Sequence, residues 1–135
     1  MEKIINVSLL ILLTLTFFMC QQNINAQQVE GQIYTVVEQM PEYPGGTDAL
    51  LKFIDANMKY PVEAKQKGVE GKVFVQFIID KKGNVVDPKL LKGIGYGCDE
   101  EALRVIKLLP GWIPGKQGGK PVNVKMVIPF SFKLN

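Results

Sequence analysis

The clearest hydropathy pattern lies at the C-terminal end, in Val122 to Leu134 (VNVKMVIPFSFKL). Val122, Val124, Met126, Ile128, Phe130, Phe132 and Leu134 share one face at a period of two, while Asn123, Lys125, Ser131 and Lys133 share the other. This alternation predicts a β-strand with one wall in a core and one facing water. Pro129 interrupts it, and proline within a sheet is confined mostly to edges, strand starts and bulges. The stretch therefore reads as a long strand near the edge of its sheet. A long open edge invites pairing with another chain unless something covers it.

The rest of the chain divides by the same criterion. Ile33 to Val37 is β-branched and aromatic, so a short strand is expected, followed by a loop at EQMPEYPGG. Leu50, Phe53 and Ile54 form an i, i+3, i+4 stripe, which predicts a helix over Asp48 to Asn57 with Thr47 as its cap. Tyr60-Pro61 breaks that helix, and a short one is expected over Val62 to Lys67, capped by Gly68. Lys72 to Asp80 reads as a strand with Val73, Val75, Phe77 and Ile79 on one face. Phe74 and Ile78 point the other way, so that face too is partly covered. Asp80 to Asn84 is a hairpin connection, and Val85 to Leu91 returns with a bulge or irregular edge at Pro88. After the glycine loop Gly93 to Gly97, Asp99, Glu100 and Glu101 open a helix at its positive end. Its buried stripe is Ala102, Val105, Ile106 and Leu109. Pro110 ends it, and LPGWIPGKQGGKPV is a turn-rich connector to the final strand.

The fold class that follows is α+β: a small antiparallel sheet of about three main strands, with two helices and a short third packed on one face. The N-terminal quarter stands apart. Lys3, the apolar run Val7 to Met19 and the polar QQNINA after it read as a secretory signal at residues 1–26, cleaved after Ala26. An uncleaved N-terminal anchor is the alternative. Lipid attachment at Cys20 would want a small residue where Met19 stands. Residues 27–46 are then a short N-terminal segment and 47–135 the folded domain.

Composition narrows the chemistry. The chain has 135 residues, a net charge of +3 without a basic run, and no histidine. Nothing suggests a nucleic-acid groove, and the commonest general base and metal ligand is missing. Consecutive acids at Asp99 to Glu101 splay around a helix and do not converge on an ion. GKQGGK lacks the spacing of a phosphate loop and leads into a strand. Cys98, the one cysteine outside the leader, reads as a small buried residue at a helix start. No catalytic residue, metal site or cofactor is expected, and the chain reads as a binding protein rather than an enzyme. Tyr43, Tyr60, Tyr96 and Trp112 each sit beside proline or glycine and are expected to pin loops. Tyr60 could instead stand exposed beside the sheet edge, where aromatic residues mark interfaces.

An ordered set of motifs resembles TonB C-terminal domains. It comprises Tyr60-Pro61, Ala64, Gly68, Glu70-Gly71-Lys72-Val73, Asp80-Lys81-Lys82-Gly83, Asp99 with Ala102, Pro110 to Gly115, Gly119 to Val122, and Ile128 to Phe132. The upstream VVEQMPEYPGG looks like the version found in Bacteroidota relatives, and the resemblance runs from about Val36 to Leu134. It implies a periplasmic domain that grips an extended segment, the TonB box, of TonB-dependent outer-membrane transporters by β-augmentation. The binding residues it implies are Val122, Asn123, Val124, Lys125, Met126, Val127, Ile128, Pro129 and Phe130. A second contact region falls at Asn57, Met58, Lys59, Tyr60 and Pro61, with Asn57-Met58-Lys59 standing where some members carry glutamines. A full energy transducer of this kind also has a membrane helix coupled to inner-membrane motor subunits, and a long spacer. The roughly sixteen residues from Gln27 to Glu42 span at most about 55 Å. The expectation is thus a domain released into the periplasm, with motor subunits as partners only if the N-terminus stays uncleaved as an anchor. The alternative is a self-associating or regulatory periplasmic scaffold, a homodimer paired through the same edge.

Overall fold

The computed structural model describes residues 29–135; the expected signal at 1–26, its cleavage after Ala26, and Cys20 lie outside them. Along the described chain run β1 (Ile33–Tyr34), α1 (Gly46–Asn57), α2 (Val62–Gln66), β2 (Gly71–Ile79), β3 (Val85–Lys92), α3 (Cys98–Leu108), β4 (Lys116–Gln117), β5 (Lys120–Pro121) and β6 (Asn123–Phe132). The main sheet has the order β1-β6-β2-β3, and β4-β5 is a separate two-stranded ribbon. β2 pairs antiparallel with β6 from Gly71↔Phe132 to Ile79↔Val124. The register sets the inward residues of the two strands side by side, as their alternation requires.

Those residues make the core. Val73, Val75, Phe77 and Ile79 of β2 and Ile128, Phe130 and Phe132 of β6 pack with Cys98, Ala102, Val105 and Ile106 of α3, Ile54 of α1 and Ala64 of α2. Phe77, Phe130 and Phe132 are fully buried, each contributing about 1.5–3 kcal/mol of hydrophobic stabilisation. The architecture is the α+β one expected, with three substantial antiparallel strands. Cys98 is a buried free thiol at the start of α3, and burial, then the nearby Asp99 and Glu100, push its pKa up. A thiol so held is a poor nucleophile.

Several local expectations change. Thr47 does not cap α1; Gly45 stands at the N-cap in the left-handed region with no side-chain cap. β1 ends at Tyr34 rather than Val37. The turn-rich connector contains the β4-β5 ribbon, in which Lys116 pairs with Pro121. Near Pro88 the β2–β3 register shifts between Gln76 and Ile78, as a bulge demands, and shifts again between Phe74 and Val75. Trp112 is buried, with Tyr43 at 5.5 Å and Phe77 at 5.8 Å between ring centroids.

Two glycines are dictated by close approach. Gly83, in the β2–β3 turn at φ 84°, accepts a hydrogen bond on its carbonyl from the Trp112 N–H at 2.8 Å. A Cβ there would overlap the Trp112 carbonyl oxygen. Gly93 lies against the Asp99 carboxylate, which accepts from the N–H groups of Ile94 at 2.9 Å and Gly95 at 3.3 Å. Asp99 therefore holds the glycine loop shut as well as complementing the helix N-terminus.

Candidate docking edge

β6 has two ladders of unequal use. Its inner side pairs with β2 along nine consecutive residue pairs. Its outer side meets β1 only at Ile33↔Asn123 and Tyr34↔Val124, in parallel. From Lys125 to Phe132 that outer side has no strand partner among the described residues. The strand is therefore next to last in the sheet, not the outermost, yet most of its length is an open edge.

The alternation fixes what lines this edge. Val124, Ile128, Phe130 and Phe132 point into the core, Met126 is half-buried, and Val127 is 46% exposed on the open face. Pro129 and Ser131 are exposed beside it, and Lys125 is half-buried. Pro129 lies opposite Phe74, and Val127 opposite Gln76. Val122 precedes the strand and donates its N–H to the Gly115 carbonyl at 3.0 Å.

Asn123 departs from the expected pattern. It is 2% exposed rather than water-facing. Its Oδ1 accepts from the Lys81 N–H at 3.1 Å, and its Nδ2 donates to the carbonyls of Glu30 at 3.0 Å and Gln32 at 3.4 Å. Burial of a polar side chain is tolerated when it is bonded in this way. Among the expected contact residues of β6 it is the one whose side chain is already hydrogen-bonded within the described chain.

The second expected region, Asn57 to Pro61, lies between α1 and α2. Its Tyr60 ring meets Phe132 edge-on at 5.7 Å, and the Tyr60 hydroxyl donates to the Val69 carbonyl. The ring is half-buried instead of standing free, and it ties this stretch to the C-terminal end of β6. Met58 packs partly buried against the core, and Lys59 is exposed. The backbone here is held from α3. Glu101 accepts from the Lys59 N–H at 2.8 Å, and Arg104 donates to the Asn57 carbonyl at 2.7 Å. Glu101 and Arg104 also pair with each other at 2.5 Å. The hydrogen bond from Arg104 outweighs partial burial and holds the Glu101 carboxyl below the usual range. Arg104 is exposed, and the sequence signal for this clamp is the i, i+3 spacing of Glu101 and Arg104.

The opposite margin of the sheet is poorly suited to pairing. β3 carries both bulges, a left-handed Asp87 at φ 50° and Pro88. Such features blunt an edge. Among the described residues, no three His, Cys, Asp or Glu side chains gather where they could hold a metal ion.

A family model described as Gram-negative bacterial TonB protein C-terminal matches residues 56–134, more than half of the chain. The chain belongs to that TonB C-terminal family. The protein TonB of Vibrio cholerae is 35% identical over 77 residues, covering 56% of this chain and 31% of its own length. The chain thus spans about a third of that relative. Among solved structures, the TonB C-terminal domain of Pseudomonas aeruginosa is 29% identical and covers 57% of this chain and 78% of its own, with a TM-score of 0.46. That of Helicobacter pylori TonB is 28% identical and covers 65% of this chain and 95% of its own, also at a TM-score of 0.46. The family match takes in α2 through β6, and with them the open edge and the Asn57 to Pro61 stretch.

Proposed function

We propose that the protein is a periplasmic docking module of TonB type, which takes the TonB box of an outer-membrane transporter as an added strand on the outer ladder of β6. Through that contact it serves energy-dependent transport across the outer membrane. The observation that carries this reading is the outer side of β6 from Lys125 to Phe132, unpaired among the described residues, in a chain of the TonB C-terminal family. Backbone N–H and C=O groups there supply affinity, and alternate side chains supply selectivity. On the open face an incoming strand lies beside Val127 and Pro129, flanked by Lys125 and Lys133, so apolar residues framed by an acidic one complement it. The role needs no general base, nucleophile or bound cofactor.

The test is calorimetric titration of the protein with synthetic TonB-box peptides and with the same peptides N-methylated at alternate residues. Saturable binding is expected, weakened roughly three- to tenfold for each backbone hydrogen bond that methylation removes. Binding indifferent to methylation would place the contact on side chains alone and overturn strand addition.

A second reading has one observation in its favour: the same edge is open to another copy of this chain, with Val127 46% exposed on it. Sedimentation separates the two readings. A stable dimer that excludes peptide supports self-association, and a monomer that binds peptide supports docking.

A further inference from the structure

The chain that leads into the domain crosses the end of the docking edge, and it is fastened on both sides of the crossing. Ahead of β1, the buried Asn123 holds the carbonyls of Glu30 and Gln32. Behind it, Val37 is buried and the Glu38 N–H donates to the Gln117 side chain at 3.0 Å. Gln39 and Lys116 then exchange backbone hydrogen bonds at 3.1 and 2.8 Å, as do Glu42 and Ile113 at 3.0 and 2.8 Å. Between these fastenings Ile33 and Tyr34 pair with Asn123 and Val124. The chain then leaves β6 for the β4-β5 ribbon, so Val36 stands 80% exposed. The stretch IYTVV has strand-forming residues enough to pair further, but its path turns to the connector after Tyr34.

We infer that residues 30–43 form a strap that sets the end of the docking edge. Of the ten residues of β6, the strap closes Asn123 and Val124, which leaves Lys125 to Phe132, eight residues, for a partner strand. A docked strand abuts β1 and cannot slide toward β5, so the strap fixes its register. Register is otherwise weakly specified where a strand pairs through backbone alone. This inference rests on the docking reading above.

The experiment compares eight- and ten-residue TonB-box peptides on three full-length proteins: wild type, Ile33→Pro/Tyr34→Pro and Asn123→Ala. Proline removes the donors of β1, and alanine removes the front fastening, so the two variants free the same end by different routes. On the wild type the two peptides bind equally. On the proline variant the longer one gains on the order of tenfold, from the hydrogen bonds added at Asn123 and Val124. On Asn123→Ala it gains in the same direction. A ten-residue peptide that outbinds the shorter one on wild type, or that gains nothing on either variant, overturns the strap's role and leaves docking intact. Absence of binding by both peptides to all three proteins overturns docking, and the strap's role with it.

Discussion

Gly83 shows what the fold asks of a single position. It combines a left-handed backbone with a close approach to the Trp112 carbonyl. Gly83→Ala is expected to destabilise the domain by roughly 2–4 kcal/mol, the left-handed penalty plus overpacking. Gly118→Ala is the control, since Gly118 has φ 58° but no atom of the described residues within 4 Å of a Cβ. It should lose only about 1–2 kcal/mol, and chemical denaturation of both variants measures the difference. The sequence showed Gly83 to be a turn glycine but not that the turn touches Trp112, because a contact between a hairpin and a distant connector leaves no local pattern. Asn123 eluded the alternation for a similar reason. A polar residue at a polar position reads as water-facing until the strap that covers it is known.

Among the elements, α3 couples the Asn57 to Pro61 stretch to the body through Glu101 and Arg104. Because the folded-state pKa of Glu101 is lowered, the carboxylate stabilises the fold above its ordinary unfolded pKa. That contribution is lost as pH falls through the folded value, in the acid range below the usual carboxylate titration. Glu101→Gln should therefore lower the thermal midpoint at neutral pH and give a flatter midpoint-against-pH curve between neutrality and strong acid. Circular dichroism melts across that range check the sign, and an unchanged slope would mean that the clamp is not formed. At the other end of the stretch, Phe132→Ala removes a fully buried ring that also supports Tyr60. The expected loss is about 3–5 kcal/mol, with the C-terminal half of β6 loosening first in hydrogen exchange. β2, β6 and both long helices were legible, since each carries an apolar face that recurs at a period of 2 or 3.6. β1 and the β4-β5 ribbon were less so. Two-residue strands have no period to read, and tertiary pairing alone defines them.

For the whole molecule, the sheet presents one blunted margin and one serviceable edge. Bulges and Pro88 spoil β3, while β6 is paired along one side and, among the described residues, open on the other from Lys125 to Phe132. The C-terminal alternation announced this strand, and Pro129 announced that it lay near an edge. Its position inside β1 was hidden, because the pairing involves residues some ninety positions apart in the sequence. The candidate site was accordingly half legible: its strand could be named residue by residue, but not the part of the strand already occupied. The most direct test is to titrate isotopically labelled protein with a TonB-box peptide while following backbone amides by NMR and hydrogen exchange. Strand addition predicts saturable shifts and new exchange protection at alternate amides within Lys125 to Phe132, with β3 unaffected. Saturable binding that leaves those amides unprotected, or protection centred on Val85 to Lys92, would contradict it.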